Sequence, residues 1–254
     1  MKTAVVTGGA SGIGRRTVER LLQEDWTVWS LDLSDQALAE QARTLDAGSR
    51  FQYRRCDVGN AQSVQAAFAA IEGATPKIDA LICSAGVARV GLLEEISADD
   101  VDLMMDVNLK GPWLSVMASL PLLRHASSTA DPSRVVIVGS VGGLRPKVGN
   151  GFYSATKTAV HALAGVLAVE LAPSGVLVNA VAPGTVDTPM VSSLLKGDDT
   201  SASYQPSGES PLGRIARADD IADVILFFLS DAAKYVNGAV LPVDGGTRAA
   251  YVRR

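Results

Sequence analysis

Soft metal ligands are scarce in this chain of 254 residues, which has two cysteines, Cys56 and Cys83, and two histidines, His125 and His161. That excludes a disulfide framework and leaves too few ligands for a structural zinc site, so no metal is expected and a reducing cytoplasm is the natural setting. No uninterrupted apolar run approaches the roughly 20 residues that a membrane-spanning helix requires. Basic residues are in short supply as well: 23 Lys and Arg stand against 27 Asp and Glu, for a net charge of −4. They are scattered, so no positive stripe awaits a nucleic-acid backbone, and neither a nucleic acid nor a membrane is an expected partner. Aromatic residues make up only 5%, and Trp26, Trp29 and Trp113 read as structural. The opening run Met-Lys-Thr-Ala-Val-Val-Thr enters a strand-like pattern without the basic and apolar regions of a signal peptide, so secretion is not expected. What the chain has in quantity is apolar residues, 47% against 20% charged, enough for a sizeable core and too many for disorder.

Those apolar residues fall in short β-rich runs that alternate with helical patterns. Strands are expected at Thr3 to Thr7, Thr27 to Leu31, Phe51 to Cys56, Ala80 to Cys83, Arg134 to Val138, Val176 to Val181 and Ala239 to Val243. Helices are expected at Gly12 to Gln23, Gln36 to Leu45, Pro112 to His125 and Tyr153 to Ala172. Ser97, with Asp100 three residues on, and Asp219, before Ile221 to Leu229, read as helix starts. The βαβ alternation predicts an α/β chain: a three-layer, doubly wound Rossmann fold around a seven-stranded parallel sheet. With no repeat and no long linker, residues 1–254 read as one dinucleotide-binding and catalytic domain. Thr185 to Leu212 is longer than a structureless connection should be and reads as a substrate loop.

The run Thr7-Gly8-Gly9-Ala10-Ser11-Gly12-Ile13-Gly14 lies between the first strand and the first helix, where a glycine loop can bring backbone close to a pyrophosphate. Glycines alone would equally serve a plain turn. Asp32 ends the second strand 18 residues after Gly14, where a carboxylate can accept hydrogen bonds from the adenosine ribose. No basic residue follows at Leu33 or Ser34 to receive a 2′-phosphate, which favours NAD over NADP; Arg15 and Arg16 read as a solvated helix face. Tyr153 and Lys157, four apart on one helix, share a face, and a neighbouring ammonium favours the phenolate needed for proton transfer. Ser140 follows the fifth strand. His161 and His125 read as packing or surface residues, and both cysteines as small buried hydrophobes.

Taken in order, Gly8-x-x-x-Gly12-Ile13-Gly14, Asp57-Val58, Ser84-Ala85-Gly86, Asn108, Ser140, Tyr153-x-x-x-Lys157 and Asn179-Ala-Val-Ala-Pro183-Gly184 resemble the short-chain dehydrogenase/reductase family over almost the whole chain. Two departures are Ser84, where the family has asparagine, and Leu177, where relatives often carry Arg. The resemblance implies catalytic roles for Asn108, Ser140, Tyr153 and Lys157. Tyr153 would take the hydroxyl proton as the carbinol hydrogen moves to the nicotinamide, Ser140 would bond the substrate oxygen, and Asn108 would hold a water that relays protons through Lys157. Expected cofactor contacts are Gly8, Ser11, Gly12, Ile13, Gly14, Asp32, Leu33, Asp57, Val58, Ser84, Ala85, Gly86, Tyr153, Lys157, Pro183, Gly184, Val186 and Thr188. The function so implied is NAD-dependent interconversion of a secondary alcohol and its ketone by a cytoplasmic homotetramer. The rivals are an NADPH-type reductase of 3-ketoacyl thioesters, which Asp32 disfavours, and a catalytically silent NAD-binding sensor, which would not need all four catalytic residues. Arg89, Arg145 and Lys147 flank the predicted mouth, so an anionic substrate group is one option.

Overall fold

The structure, a computed structural model, describes residues 1–125, 127–196 and 208–249. In chain order the main elements are β1 (Thr3–Thr7), α1 (Gly12–Gln23), β2 (Thr27–Asp32), α2 (Asp35–Leu45), β3 (Phe51–Arg55), α3 (Ala61–Glu72) and β4 (Ala80–Cys83). There follow α4 (Ala98–Met105), α5 (Gly111–Arg124), β5 (Ser133–Val138), α6 (Gly151–Leu171), β6 (Val176–Pro183), α7 (Pro189–Lys196), α8 (Ala218–Leu229) and β7 (Val240–Val243). The seven strands are all parallel, in the order β3-β2-β1-β4-β5-β6-β7. This is the doubly wound, three-layer Rossmann arrangement that the alternation predicts.

The layers follow from side-chain alternation along each strand. Val5, Leu81, Val135, Ile137 and Val178 point into one core with Val64, Phe68 and Ile71 of α3, Val116 of α5 and Val160 and Leu167 of α6. Ala4, Val6, Ile82, Val136 and Val181 point the other way, against Val18 and Leu21 of α1 and Ile221 and Ile225 of α8. With both faces covered, the central strands carry almost no polar side chain. By length and composition, the stretch Gly151–Ser174 could cross a bilayer. Its apolar side chains Val160, Leu167 and Leu171 are buried against the sheet instead.

Helix ends show how local chemistry sets the boundaries. Ser97 caps α4 as expected, its hydroxyl accepting the Asp100 N–H at 3.1 Å. Asp219 does not open α8 but lies in its first turn; the Asp220 carboxylate accepts the Arg217 N–H at 2.7 Å and pairs with Arg214 at 2.6 Å. The segment 185–212 is not wholly a loop, because Pro189 starts α7; Gly197 and Pro206, which suggested a loop, lie outside the described residues. Between α4 and α5 the chain makes one π-turn, Asp106–Lys110, with Asn108 fully buried inside it. Such widened turns often mark functional sites.

Chain order reverses between β1 and β4, so the crevice beyond their C-terminal ends is where a ligand is expected. The two loops that leave these strands touch. A Cβ on Gly8, at φ +65°, would come within 2.6 Å of the Ala85 backbone, and the Ser84 N–H donates to the Thr7 carbonyl at 3.1 Å. Ser84 therefore keeps the β1–β4 junction closed through its backbone.

Candidate functional site

A cavity of about 370 Å³ opens over this crevice. Gly8, Ser11, Gly12, Ile13, Asp32, Leu33, Asp57, Val58, Ser84, Ala85, Gly86, Ser140, Tyr153, Lys157, Pro183, Gly184, Val186 and Thr188 line it. The fold thus brings the expected residues together, with two exceptions. Gly14 does not line the cavity; a Cβ there would sit 2.0 Å from the Gly8 carbonyl oxygen, so its bareness serves the packing of loop on helix. Asn108 lies behind the wall, donating to the Val87 carbonyl at 2.8 Å and to Thr156 at 3.2 Å while accepting the Val87 N–H at 2.9 Å. Cys56, Val87, Val107, Val138 and Met190 also line the cavity, apolar or small side chains that carry no chemical signal in sequence.

The end formed by the glycine loop suits a pyrophosphate. Gly12 has φ +51°, the Ser11 side chain does not cap α1, and Ser11, Gly12 and Ile13 at the start of this helix line the cavity. The Thr188 methyl comes 3.3 Å from where a Cβ on Gly12 would be, so the 183–188 segment closes over the loop. Asp32 accepts the Ala10 N–H at 3.1 Å on one oxygen and the Ser34 N–H at 3.2 Å on the other. It braces the loop and also lines the cavity. Arg15 pairs with Glu19, and Arg16 with Glu19 and Asp219, so neither lines the cavity. A basic residue that sequence did not flag stands nearby: Arg55, at the end of β3, donates to the Leu33 carbonyl at 3.2 Å. Strand pairing aligns it with Asp32, a neighbour 23 residues away in sequence.

At the other end Tyr153 and Lys157 lie one turn apart on α6, the ammonium 5.7 Å from the phenol ring centroid. Lys157 is buried and donates to the Val138 carbonyl at 3.0 Å; burial pulls its pKa down to about 8. Gly86 passes between Asn108 and Lys157, where a Cβ would stand 3.3 Å from the Asn108 oxygen and 3.6 Å from the ammonium. Ser140 opens the short turn Val141–Gly143 that follows β5, its hydroxyl accepting the Gly142 N–H at 3.1 Å. His161, expected as a packing residue, is buried beneath Ser140 and accepts its backbone N–H on Nε2 at 3.4 Å. The acceptor at Nε2 places the imidazole proton on Nδ1, which is buried and has no partner among the described residues. Burial, and then the nearby Lys157 charge, hold this histidine down to about 4. Burial also raises the thiols of Cys56 and Cys83, to about 11 and about 12, as suits small buried hydrophobes.

A second cavity, of about 110 Å³, adjoins the first, and Ser140 and Tyr153 line both. A polar pair therefore faces two compartments, one long and glycine-walled, the other small and lined by Ala88, Val90, Val141, Met190, Val191 and Leu194 together with Arg145, Lys147, Asn150 and Thr185.

The family model described as enoyl-(acyl carrier protein) reductase matches residues 8–248. The chain is 36% identical over 247 residues to short-chain reductase protein NovJ of Streptomyces niveus, covering 96% of this chain and 92% of the relative. It is 37% identical over 247 residues to cis-4-hydroxycyclohexanecarboxylate dehydrogenase of Sinomonas cyclohexanicum, covering 96% of each. Among solved structures, levodione reductase superposes with a TM-score of 0.88 at 32% identity, covering 98% of both chains. A 3-ketoacyl-(acyl-carrier-protein) reductase of Brucella melitensis complexed with NADH has a TM-score of 0.87 at 26% identity, covering 97% of this chain and 98% of the other. The RhlG/NADP complex of Pseudomonas aeruginosa has 0.88 at 27% identity, covering 97% and 96%.

Proposed function

The chain belongs to the short-chain dehydrogenase/reductase family, and on that premise we propose that it is an NAD-dependent oxidoreductase interconverting a small alicyclic secondary alcohol and its ketone. The observation that carries this reading is the position of Ser140 and Tyr153, which face the glycine-walled cavity and the small adjoining one at once, above a buried Lys157. Relatives whose names specify a levodione or a hydroxycyclohexanecarboxylate support a compact ring as substrate.

The 8–14 loop, Asp32, Asp57, Val58, the 84–86 turn and the 183–188 segment would hold the dinucleotide, and its nicotinamide supplies or accepts the hydride. Tyr153 takes the proton from the alcohol, or returns it to the ketone oxygen, from a phenol that opens on both cavities. The Lys157 ammonium, one turn below, favours the phenolate that this step requires. Ser140 donates its hydroxyl proton to the substrate oxygen while its own oxygen accepts the Gly142 N–H. Asn108, expected to carry a relay water, spends its amide on Val87 and Thr156. In this reading it is a positioning residue that holds the 84–87 turn beside Lys157. The reading also sets the enzyme in the cytoplasm, in keeping with two free buried thiols, as one catalytic domain that assembles into a homotetramer.

NAD is preferred because Asp32, not a cation, lines the ribose end. Arg55 supports the rival NADPH reading, because its guanidinium reaches the Leu33 carbonyl. A charge-assisted bond from ribose to Asp32 contributes about 1.5–3 kcal/mol, and repulsion of a 2′-phosphate adds to it, so preference for NAD should reach on the order of a hundredfold in kcat/KM. The experiment measures kcat/KM with NAD and NADP on a panel of alicyclic alcohols, by NADH absorbance, for the wild type, Tyr153→Phe and Asp32→Ala/Leu33→Arg. Tyr153→Phe should abolish turnover with cofactor binding retained, and the double variant should move toward NADP. Equal use of both cofactors by the wild type would show that Arg55 receives the phosphate; full activity in Tyr153→Phe would overturn the mechanism.

A further inference from the structure

Leu38 and Gln41 are the buried residues of α2, and the second is a glutamine where an amphipathic helix ordinarily turns an apolar side chain to the core. A fully buried amide is destabilising unless both of its ends are hydrogen-bonded. Here both are. Ser30 of β2, itself fully buried, donates its hydroxyl to Gln41 Oε1 at 2.9 Å, and Gln41 Nε2 donates to the Gly9 carbonyl at 2.8 Å. A carbonyl can only accept, which fixes the amide nitrogen on the Gly9 side and leaves its oxygen for the serine.

Gly9 belongs to the glycine loop but does not line the cavity. A Cβ there would fall 2.4 Å from the Ser30 hydroxyl oxygen and 3.0 Å from the Val6 carbonyl oxygen, so the loop lies against β2 only because residue 9 has no side chain. Its N–H donates to the Leu31 carbonyl at 3.1 Å, and the N–H of Ala10 goes to Asp32 at 3.1 Å. Gly9 is thus gripped at both its N–H and its carbonyl, just ahead of the residues Ser11, Gly12 and Ile13 that line the cavity. We propose that Gln41 is a positioning residue for dinucleotide binding: through the Ser30–Gln41–Gly9 chain it holds the glycine loop, before any nucleotide arrives, in the shape that meets the pyrophosphate. The inference rests on reading this loop as the dinucleotide's seat and adds a residue behind it that does not touch the ligand. Preorganisation of this kind raises affinity by removing the ordering of the loop from the binding step. Asp32 ties the same loop but also lines the cavity, so its loss would mix two effects; Gln41 does not line it, and its loss reports on loop shape alone.

Gln41→Met keeps the length of the side chain and removes both hydrogen bonds, stranding the Gly9 carbonyl and the Ser30 hydroxyl. Affinity, titrated by fluorescence with whichever of NADH and NADPH the wild type binds more tightly, should fall about tenfold or more. The KM for the oxidised form should rise alike, with kcat at saturating cofactor close to that of the wild type, because Ser140, Tyr153 and Lys157 are untouched. The stranded hydroxyl should also lower the melting temperature. In Ser30→Ala/Gln41→Met that hydroxyl is gone, so the melting temperature should partly recover while nucleotide affinity stays low; a purely structural role predicts that both recover together. In the wild type without nucleotide, the Gly9 and Ala10 amides should already resist hydrogen exchange as they do with nucleotide bound, a measurement that needs no variant. Wild-type affinity in Gln41→Met, affinity that recovers with stability in the double variant, or Gly9 and Ala10 amides that exchange freely until nucleotide binds would each overturn the role of Gln41 and leave the dinucleotide reading intact. A wild type that binds neither NADH nor NADPH would sink the dinucleotide reading, and this role with it.

Discussion

His161 shows how much a single side chain can be asked to do at the back of a site. Its Nε2 holds the Ser140 backbone, and it leaves no room for a side chain at position 139, where a Cβ would come within 2.1 Å of that nitrogen. The bond requires a neutral ring. With its pKa held near 4 in the folded chain against an ordinary 6.5, the unfolded chain binds a proton that the folded chain refuses between those values. Stability contributed by this site should therefore rise with pH from about 4 to 6.5 and be lost as pH falls through that window, on the order of 3 kcal/mol in all. Removing the titrating ring in His161→Gln should flatten this part of the pH dependence relative to the wild type. Denaturant midpoints collected across the window for both proteins check it, and parallel slopes would show that the imidazole is not the group responsible.

At the scale of elements, the first β-turn-α unit is held by contacts that leave no room for substitution. Gly14 lies in the first turn of α1, and its Cα faces the Gly8 carbonyl so closely that an added methyl would overlap it at 2.0 Å. A backbone carbonyl cannot swing aside as a flexible side chain can, so the loop itself must move. Gly14→Ala should cost about 1–3 kcal/mol by overpacking. Because the displaced loop carries Gly8 and Gly12, NADH affinity should fall along with the melting temperature. Fluorescence titration with NADH and a thermal melt report the two effects; a variant with wild-type affinity would mean that the loop does not form the pyrophosphate site. The π-turn at Asp106–Lys110 shows the opposite device, a looser element that turns Asn108 inward to reach Val87 and Thr156.

For the whole molecule, the apolar surface of α5 and α6 raises the question of assembly. Trp113, which composition suggested was structural, is 45% exposed, and it shares an apolar groove with Met105, Leu109 and Leu163. Val166 and Val169 on α6 are 53% and 76% exposed. At the other end of the sheet β7 is the edge strand, paired with β6 alone among the described residues, and its Leu241 is exposed. Large apolar side chains clustered on the surface of a folded chain mark contact sites. The proposed tetramer would bury the α5–α6 face in one interface and the β7 edge in another. Light scattering at micromolar concentration should give four times the chain mass, and Trp113→Glu should reduce it to a smaller species; a stable wild-type monomer would refute the assembly.

Periodic and local features were legible in the sequence. Alternating apolar runs gave the strands to within a residue or two because a strand buried on both faces has no choice but to be apolar. Tyr153 and Lys157 could be paired because a helix fixes which side chains four apart share a face. The glycine loop and Asp32 could be read together because both sit at strand ends, and parallel strands end on the same edge of the sheet. What only the tertiary structure decided depends on which strands became neighbours. The β3–β2 pairing brings Arg55 beside Leu33, and the packing of α6 on β5 and β6 puts His161 under Ser140. Arg89, Arg145 and Lys147 looked equivalent in sequence, but Arg145 and Lys147 line the small cavity between the turn after β5 and α7 and Arg89 does not. These contacts join residues far apart in the chain, so no local pattern encodes them; they exist because sheet order and burial close those distances.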